Sequence, residues 1–102
     1  MEILFEVKTA LGKLIRTTRS HWELISKLKH PEIEGKETEV TNCLSTPFEI
    51  RRSSDDPDVY IYYSPYMTYY LCVVARHLNG DGFIITAYIT DKIKEGEIVW
   101  KK

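Results

Sequence analysis

The sequence predicts an α+β domain: an N-terminal β-hairpin, two helices, then a four-stranded antiparallel meander. Three observations point there. Strand-like alternation at both ends of the chain brackets a middle stretch with helical spacing. Turn residues break up the apolar segments of the second half, and Asn79-Gly80 followed by Asp81-Gly82 is the strongest short hairpin signal. Helices and strands are segregated along the chain, which argues against a wound parallel sheet.

Each element has its own reason. From Glu2 to Lys8, Ile3, Phe5 and Val7 alternate with mainly charged neighbours, as in a half-buried strand. Gly12 marks a turn and Lys13 to Thr17 the return strand. Thr18 or Ser20 can cap the first helix. Trp22, Ile25 and Leu28 recur at three-residue spacing with Leu24 beside them, while Glu23 and Lys27 support the wet face. Pro31 disfavours helical backbone at His30, so this helix ends near Lys29 and HPEIEGK is a connecting loop. A second helix spans Lys36 to Ser45. Glu37 and Glu39 complement the dipole of its first turn, Val40, Cys43 and Leu44 form its apolar stripe, and Pro47 ends it. The strand segments PFEIRRS, DVYIYYS, TYYLCVVARHL and GFIITAYITD follow, separated by SSDDPD, SPYMT and NGDG. The tail KIKEGEIVW returns Ile98, Val99 and Trp100 to cover an edge.

A length of 102 residues fits one domain, and 43% hydrophobic with 28% charged residues is ordinary for a soluble globular protein. The formal net charge of −1 argues against strong unspecific nucleic-acid binding and leaves room for a local basic patch. No apolar run is long enough to cross a bilayer and no signal segment opens the chain, so a cytoplasmic location without membrane association is expected. Cys43 and Cys72 sit in apolar patterns and read as reduced, buried thiols. Together with three scattered histidines they lack zinc-site spacing, and no metal or cofactor is expected.

The strands of the second half carry polar groups at interior positions, where an unpaired buried polar group is costly. Strict alternation places Phe83, Ile85, Ala87 and Ile89 toward the helices and Ile84, Thr86, Tyr88 and Thr90 on the other side. Tyr70, Cys72, Val74 and Arg76 share a face of the preceding strand, so Arg76 can project beside Thr86 and Tyr88. Arg52 alternates with Ser53, and the two share a face only if their strand bends. Arginine presents a rigid charged fork that matches phosphate, hydroxyls donate to phosphate oxygens, and histidine moves a proton near neutral pH. Each group also has an ordinary structural use. The arginines suit surface ion pairs, Thr86 and Tyr88 are good sheet formers, and His30 can serve a helix end. His21 reads as a packing residue beside Trp22 and His77 as an exposed strand end. The six tyrosines from Tyr60 to Tyr70 either stack on bases or make sheet surface.

The runs KHPEI, LSTPFEIRRSSDDPDVYIYYS and LCVVARHLNGDGFIITAYITDKIKEGEIVW resemble a group of small prokaryotic and phage-associated proteins. Their shared pattern is HPE, RRS-x-x-DP and TAY, and it covers roughly residues 20 to 100. That group is similar to the superfamily of metal-independent ribonucleases comprising barnase, EndoU, the colicin ribonucleases and RelE, the BECR fold. The resemblance implies N-terminal helices on a four-stranded antiparallel sheet. It nominates His30, Arg52, Ser53, Thr86 and Tyr88, and adds Arg76 where the pattern often has Lys. At that position arginine keeps the cation but not a proton-donor role. His21 falls where the group often has an aromatic residue. The implied activity is an endoribonuclease or ribonuclease-like toxin. His30 is the general base or acid, Arg52 and Arg76 hold phosphate, and Ser53, Thr86 and Tyr88 orient it. RNA is the expected substrate, with an antitoxin or immunity protein as partner. The competing expectation is a non-catalytic module on the same fold that binds RNA or a protein. A third is an assembly protein that uses its tyrosine-rich strands as an interface.

Overall fold

The computed structural model describes residues 2–93 and 96–102. Lys94 and Glu95, within the tail expected to cover an edge, lie outside the described residues. Strands β1 (Ile3–Lys8) and β2 (Leu14–Thr18) form the N-terminal hairpin. Thr18 then caps α1 (Arg19–Glu23), its side chain accepting from His21 N at 3.2 Å. The helix continues as a π-helix over Leu24–Lys29 and stops before Pro31. A short 3-10 turn (Pro31–Ile33) leads to α2 (Glu37–Ser45). Strands β3 (Glu49–Arg52), β4 (Val59–Tyr66), β5 (Tyr69–His77) and β6 (Asp81–Thr90) follow, and β7 (Glu97–Lys101) ends the chain.

The expected four-stranded RelE-like meander is corrected by the sheet itself. One seven-stranded mixed sheet runs in the order β1-β2-β6-β5-β4-β3-β7. The hairpin joins it through a short parallel pairing of β2 with β6, Leu14 to Asp81 through Arg16 to Phe83. The tail joins the far edge, where β7 pairs antiparallel with β3. The physical reason is that β6 and β3 would otherwise be the bare edges of the meander, and β2 and β7 supply backbone partners there.

The core fills the space between the helices and one sheet face. Trp22, Ile25, Ile33, Val40, Cys43 and Leu44 meet Ile50, Tyr62, Leu71, Val73, Ala75, Ile84 and Ala87. The stripe expected on the first helix is only partly right: Leu28 is 75% exposed, and Ser26 is buried instead. An i→i+5 ladder is wider than an α-helical turn, so it rotates a different residue inward; His30 N donates to Ile25 O at 2.7 Å in this register. A second, smaller cluster lies on the helix-free face. Ile61, Tyr63 and Cys72 pack there with Tyr70, Val74, Tyr88 and Ile93, and Ile93 belongs to the connection that leaves β6 for β7. SPYMT, expected as a loop, is mostly strand, because β4 runs on to Tyr66 and only Met67 and Thr68 turn. Among the described residues no helix is long and apolar enough to cross a membrane. Cys43 and Cys72 are both buried, and neither forms a disulfide.

Candidate functional site

The pairing register decides which predicted site residues share a face. Cys72 pairs with Tyr88, Val74 with Thr86, and Arg76 with Phe83. Thr86, Tyr88 and Arg76 therefore all lie on the helix-free face, as alternation along β5 predicts. Between Thr86 and Ile84 the register shifts by one residue, a bulge at Ile85. It corrects the expected faces at the start of β6: Ile84 points into the core and Phe83 does not. His21 Nε2 donates to the carbonyl of Ile85 at 3.1 Å, which ties α1 to the bulge.

Helix α1 and its π continuation bring His30 to the same place. The 3-10 turn that follows packs against β6, and the His30 ring lies 5.3 Å from the Tyr88 ring at a 32° tilt. Glu32 Oε2 stands 3.5 Å from His30 Nδ1. A carboxylate on that side favours the proton on Nδ1 and leaves Nε2 as the acceptor. Thr86 Oγ1 is buried and has no hydrogen-bond partner among the described residues. Burial, followed by a hydrogen bond to Cys72, pushes the Tyr88 hydroxyl well above the ordinary phenol range. Tyr88 is thus a neutral hydrogen-bonding group at neutral pH and a poor source of protons. Arg76 Nη2 donates to Asp56 Oδ2 at 2.8 Å. The Asp58 backbone N–H, then Arg76, hold that carboxyl below the usual range.

Arg52 and Ser53 are not brought to this group. Arg52 pairs with Tyr60 and so points to the helix side, opposite Thr86 and Tyr88. Its guanidinium lies 5.8 Å from the Tyr60 ring centre, and its buried Nε lacks a hydrogen bond, with Glu97 Oε1 at 3.6 Å. Ser53 lies just beyond β3, where its hydroxyl accepts from Asp55 N at 3.1 Å and shapes the turn. The arginine of this pair on the helix-free face is Arg51, ion-paired with buried Glu49.

The sequence reading also missed a polar chain on the helix side. His77, expected to be exposed, is 7% exposed and stacks on Tyr60 at 3.9 Å. Its Nε2 lies 2.8 Å from the Tyr62 hydroxyl, which donates to Thr9 Oγ1 at 3.1 Å. Thr9 Oγ1 in turn accepts from the backbone of Leu11 and Lys13, so the chain locks the first hairpin turn onto β4 and β5. Burial, then the nearby Lys13 charge, pushes His77 down to about 4. Desolvation pushes Tyr62 up to about 12. No sequence signal distinguishes this His from an exposed one, because its partners Tyr62 and Tyr60 are 15 and 17 residues away along the chain. Compared with protein-family models, curated proteins and solved structures, the chain shows no significant match.

Proposed function

We propose that the protein is a metal-independent endoribonuclease whose phosphate site lies on the helix-free face beside β6. The observation that carries this reading is the meeting of His30 with Tyr88 next to a buried Thr86 hydroxyl that has no hydrogen-bond partner among the described residues. A buried donor without a partner asks for a ligand oxygen, and of the two such side-chain atoms among the described residues, Arg52 Nε and Thr86 Oγ1, only Thr86 Oγ1 lies on the face that His30 reaches. His30 Nε2 takes the proton from the ribose 2′-hydroxyl as that oxygen attacks phosphorus and the P–O5′ bond breaks; the 2′,3′-cyclic phosphate remains on one fragment, and the imidazolium, or water, returns a proton to the departing 5′-oxygen. Glu32 holds the imidazole in the accepting tautomer. Thr86 and Arg76 stabilise charge on the phosphate oxygens, and Tyr88 fixes the ring of His30. Arg52 and Ser53 have no part in this arrangement. The HPE, RRS-x-x-DP and TAY pattern resembles that of small prokaryotic proteins similar to those ribonucleases, which supports the same chemistry.

The test is incubation with mixed RNA in EDTA. Cyclic-phosphate products are expected, His30→Ala lowers the rate by roughly 100-fold or more, and Arg52→Ala leaves it near wild type. No product at high protein concentration with several RNAs overturns the reading. A second reading, a non-catalytic RNA-binding module, is favoured by the Asp56 partner of Arg76 and by Ile93, which packs against the cluster of Ile61, Tyr63 and Cys72 on this face. Wild-type protein that binds RNA tightly and never cleaves it supports the module.

A further inference from the structure

Strands β2 and β6 run side by side only as far as Arg16 and Phe83. Beyond that pair β2 turns into α1, β6 continues through its bulge, and the two part. A cleft of about 280 Å³ opens between them, lined by Arg16, Thr17, Thr18, His21, Phe83 and Ile84. Phe83 is 39% exposed at its mouth. In register, Phe83 stands between two arginines, Arg16 on β2 and Arg76 on β5. Each arginine is held by one carboxylate: Arg16 Nη1 by Asp81 at 3.0 Å and Arg76 Nη2 by Asp56 at 2.8 Å. All four side chains are about one third exposed or more. Pairs of this kind are weak, and a phosphate can take the place of the carboxylate at small cost.

We infer that this row is a nucleobase-stacking subsite for single-stranded RNA, with one base on the Phe83 ring and Arg16 and Arg76 on the flanking phosphates. RNA as the ligand class rests on the function proposed above. An exposed aromatic ring between cations is the combination that binds single strands with little sequence preference. The cleft lies at the small end of small-molecule sites, which run from about 300 Å³ upward. It is open to solvent, which suits one base of a strand that continues over the surface. Along β6, Thr86 lies roughly 7 Å beyond Phe83 once the bulge is discounted, so a base here neighbours the phosphate at His30 and Thr86.

The experiment is fluorescence anisotropy with a labelled, fully 2′-O-methylated RNA oligonucleotide, which has no attacking hydroxyl. Phe83→Ala is expected to weaken binding by roughly tenfold or more, and Phe83→Trp to keep it. Arg16→Ala weakens binding and flattens its salt dependence. Circular dichroism and the thermal midpoint verify that each variant is folded. Phe83→Ala binding like wild type overturns the subsite even if wild type cleaves RNA. Binding that depends on Phe83 in a protein that never cleaves RNA upholds the subsite and overturns the nuclease. A wild type that binds no oligonucleotide overturns the subsite.

Discussion

Acid should unfold this protein partly through one side chain, His77. The imidazole is enclosed by the Tyr60 ring and the Tyr62 hydroxyl, with Lys13 nearby, and burial pushes it down to about 4 from an ordinary 6.5. Between those values the unfolded chain binds a proton that the folded chain refuses. The stability held by neutral His77 is therefore complete above about 6.5 and is lost as pH falls toward about 4. Linkage between the two values gives a loss of about 2 kcal/mol on going from pH ~7 to pH ~5. The assay is urea unfolding of wild type and His77→Gln at both pH values. His77→Gln keeps a polar group for Tyr62 and cannot titrate. It should be less stable at neutral pH, and its stability should fall by about 2 kcal/mol less than that of wild type over the same interval. Other groups that titrate in both proteins cancel in this difference. Equal pH slopes in the two proteins refute the reasoning, because His77 would then titrate alike in the folded and unfolded chains.

Two further outcomes follow from packing. A Cβ at Gly82 would stand 2.1 Å from the Arg76 carbonyl oxygen and 2.9 Å from Ile15 Cδ1. Gly82→Ala should therefore cost roughly 3 kcal/mol in urea unfolding or leave the protein insoluble, and a variant as stable as wild type would contradict the close strand contact. Cys43 is pushed up to about 12 by burial, and its Sγ donates to the Tyr62 carbonyl at 3.5 Å. Its thiol should resist a disulfide reagent in the folded protein and react after denaturation in guanidinium, whereas rapid reaction in the native state would show that the core opens.

Local rules were enough for the elements whose causes are local. Thr18 caps the first helix, Pro31 ends it, Val40, Cys43 and Leu44 face inward on α2, and Asn79-Gly80 turns β5 into β6. What the sequence concealed depends on partners distant along the chain. The parallel contact of β2 with β6 joins residues 67 positions apart, and nothing near Leu14 announces it. The π register moved Leu28 outward and Ser26 inward although the spacing of Trp22, Ile25 and Leu28 suits an α-helix. His77 needed Tyr60, Tyr62 and the hairpin turn to be buried, and a strand-end histidine carries no mark of that.

The split of the predicted anion site has one cause, the period-two rule applied to each strand through its register. Arg52 is level with Tyr60, whose neighbour on β5 is Ala75, a core residue. Thr86 is level with Val74, on the opposite face. No side-chain rotation carries a guanidinium through a hydrogen-bonded sheet, so Arg52 cannot meet Thr86 without a register slip of one residue in β3 or β4, and such a slip would expose Ile50 or Tyr62. The bulge at Ile85 is the compensating device on the other side. Without it, Ile84 and Thr86 would share a face as strict alternation requires, and either Ile84 would leave the core or Thr86 would leave the side of His30. One inserted residue lets β6 keep Ile84 inside, present Phe83 between Arg16 and Arg76, and hold Thr86 and Tyr88 beside His30. The carbonyl of that residue is the one to which His21 donates, so the contact that anchors α1 also fixes the bulge on which both proposed subsites depend.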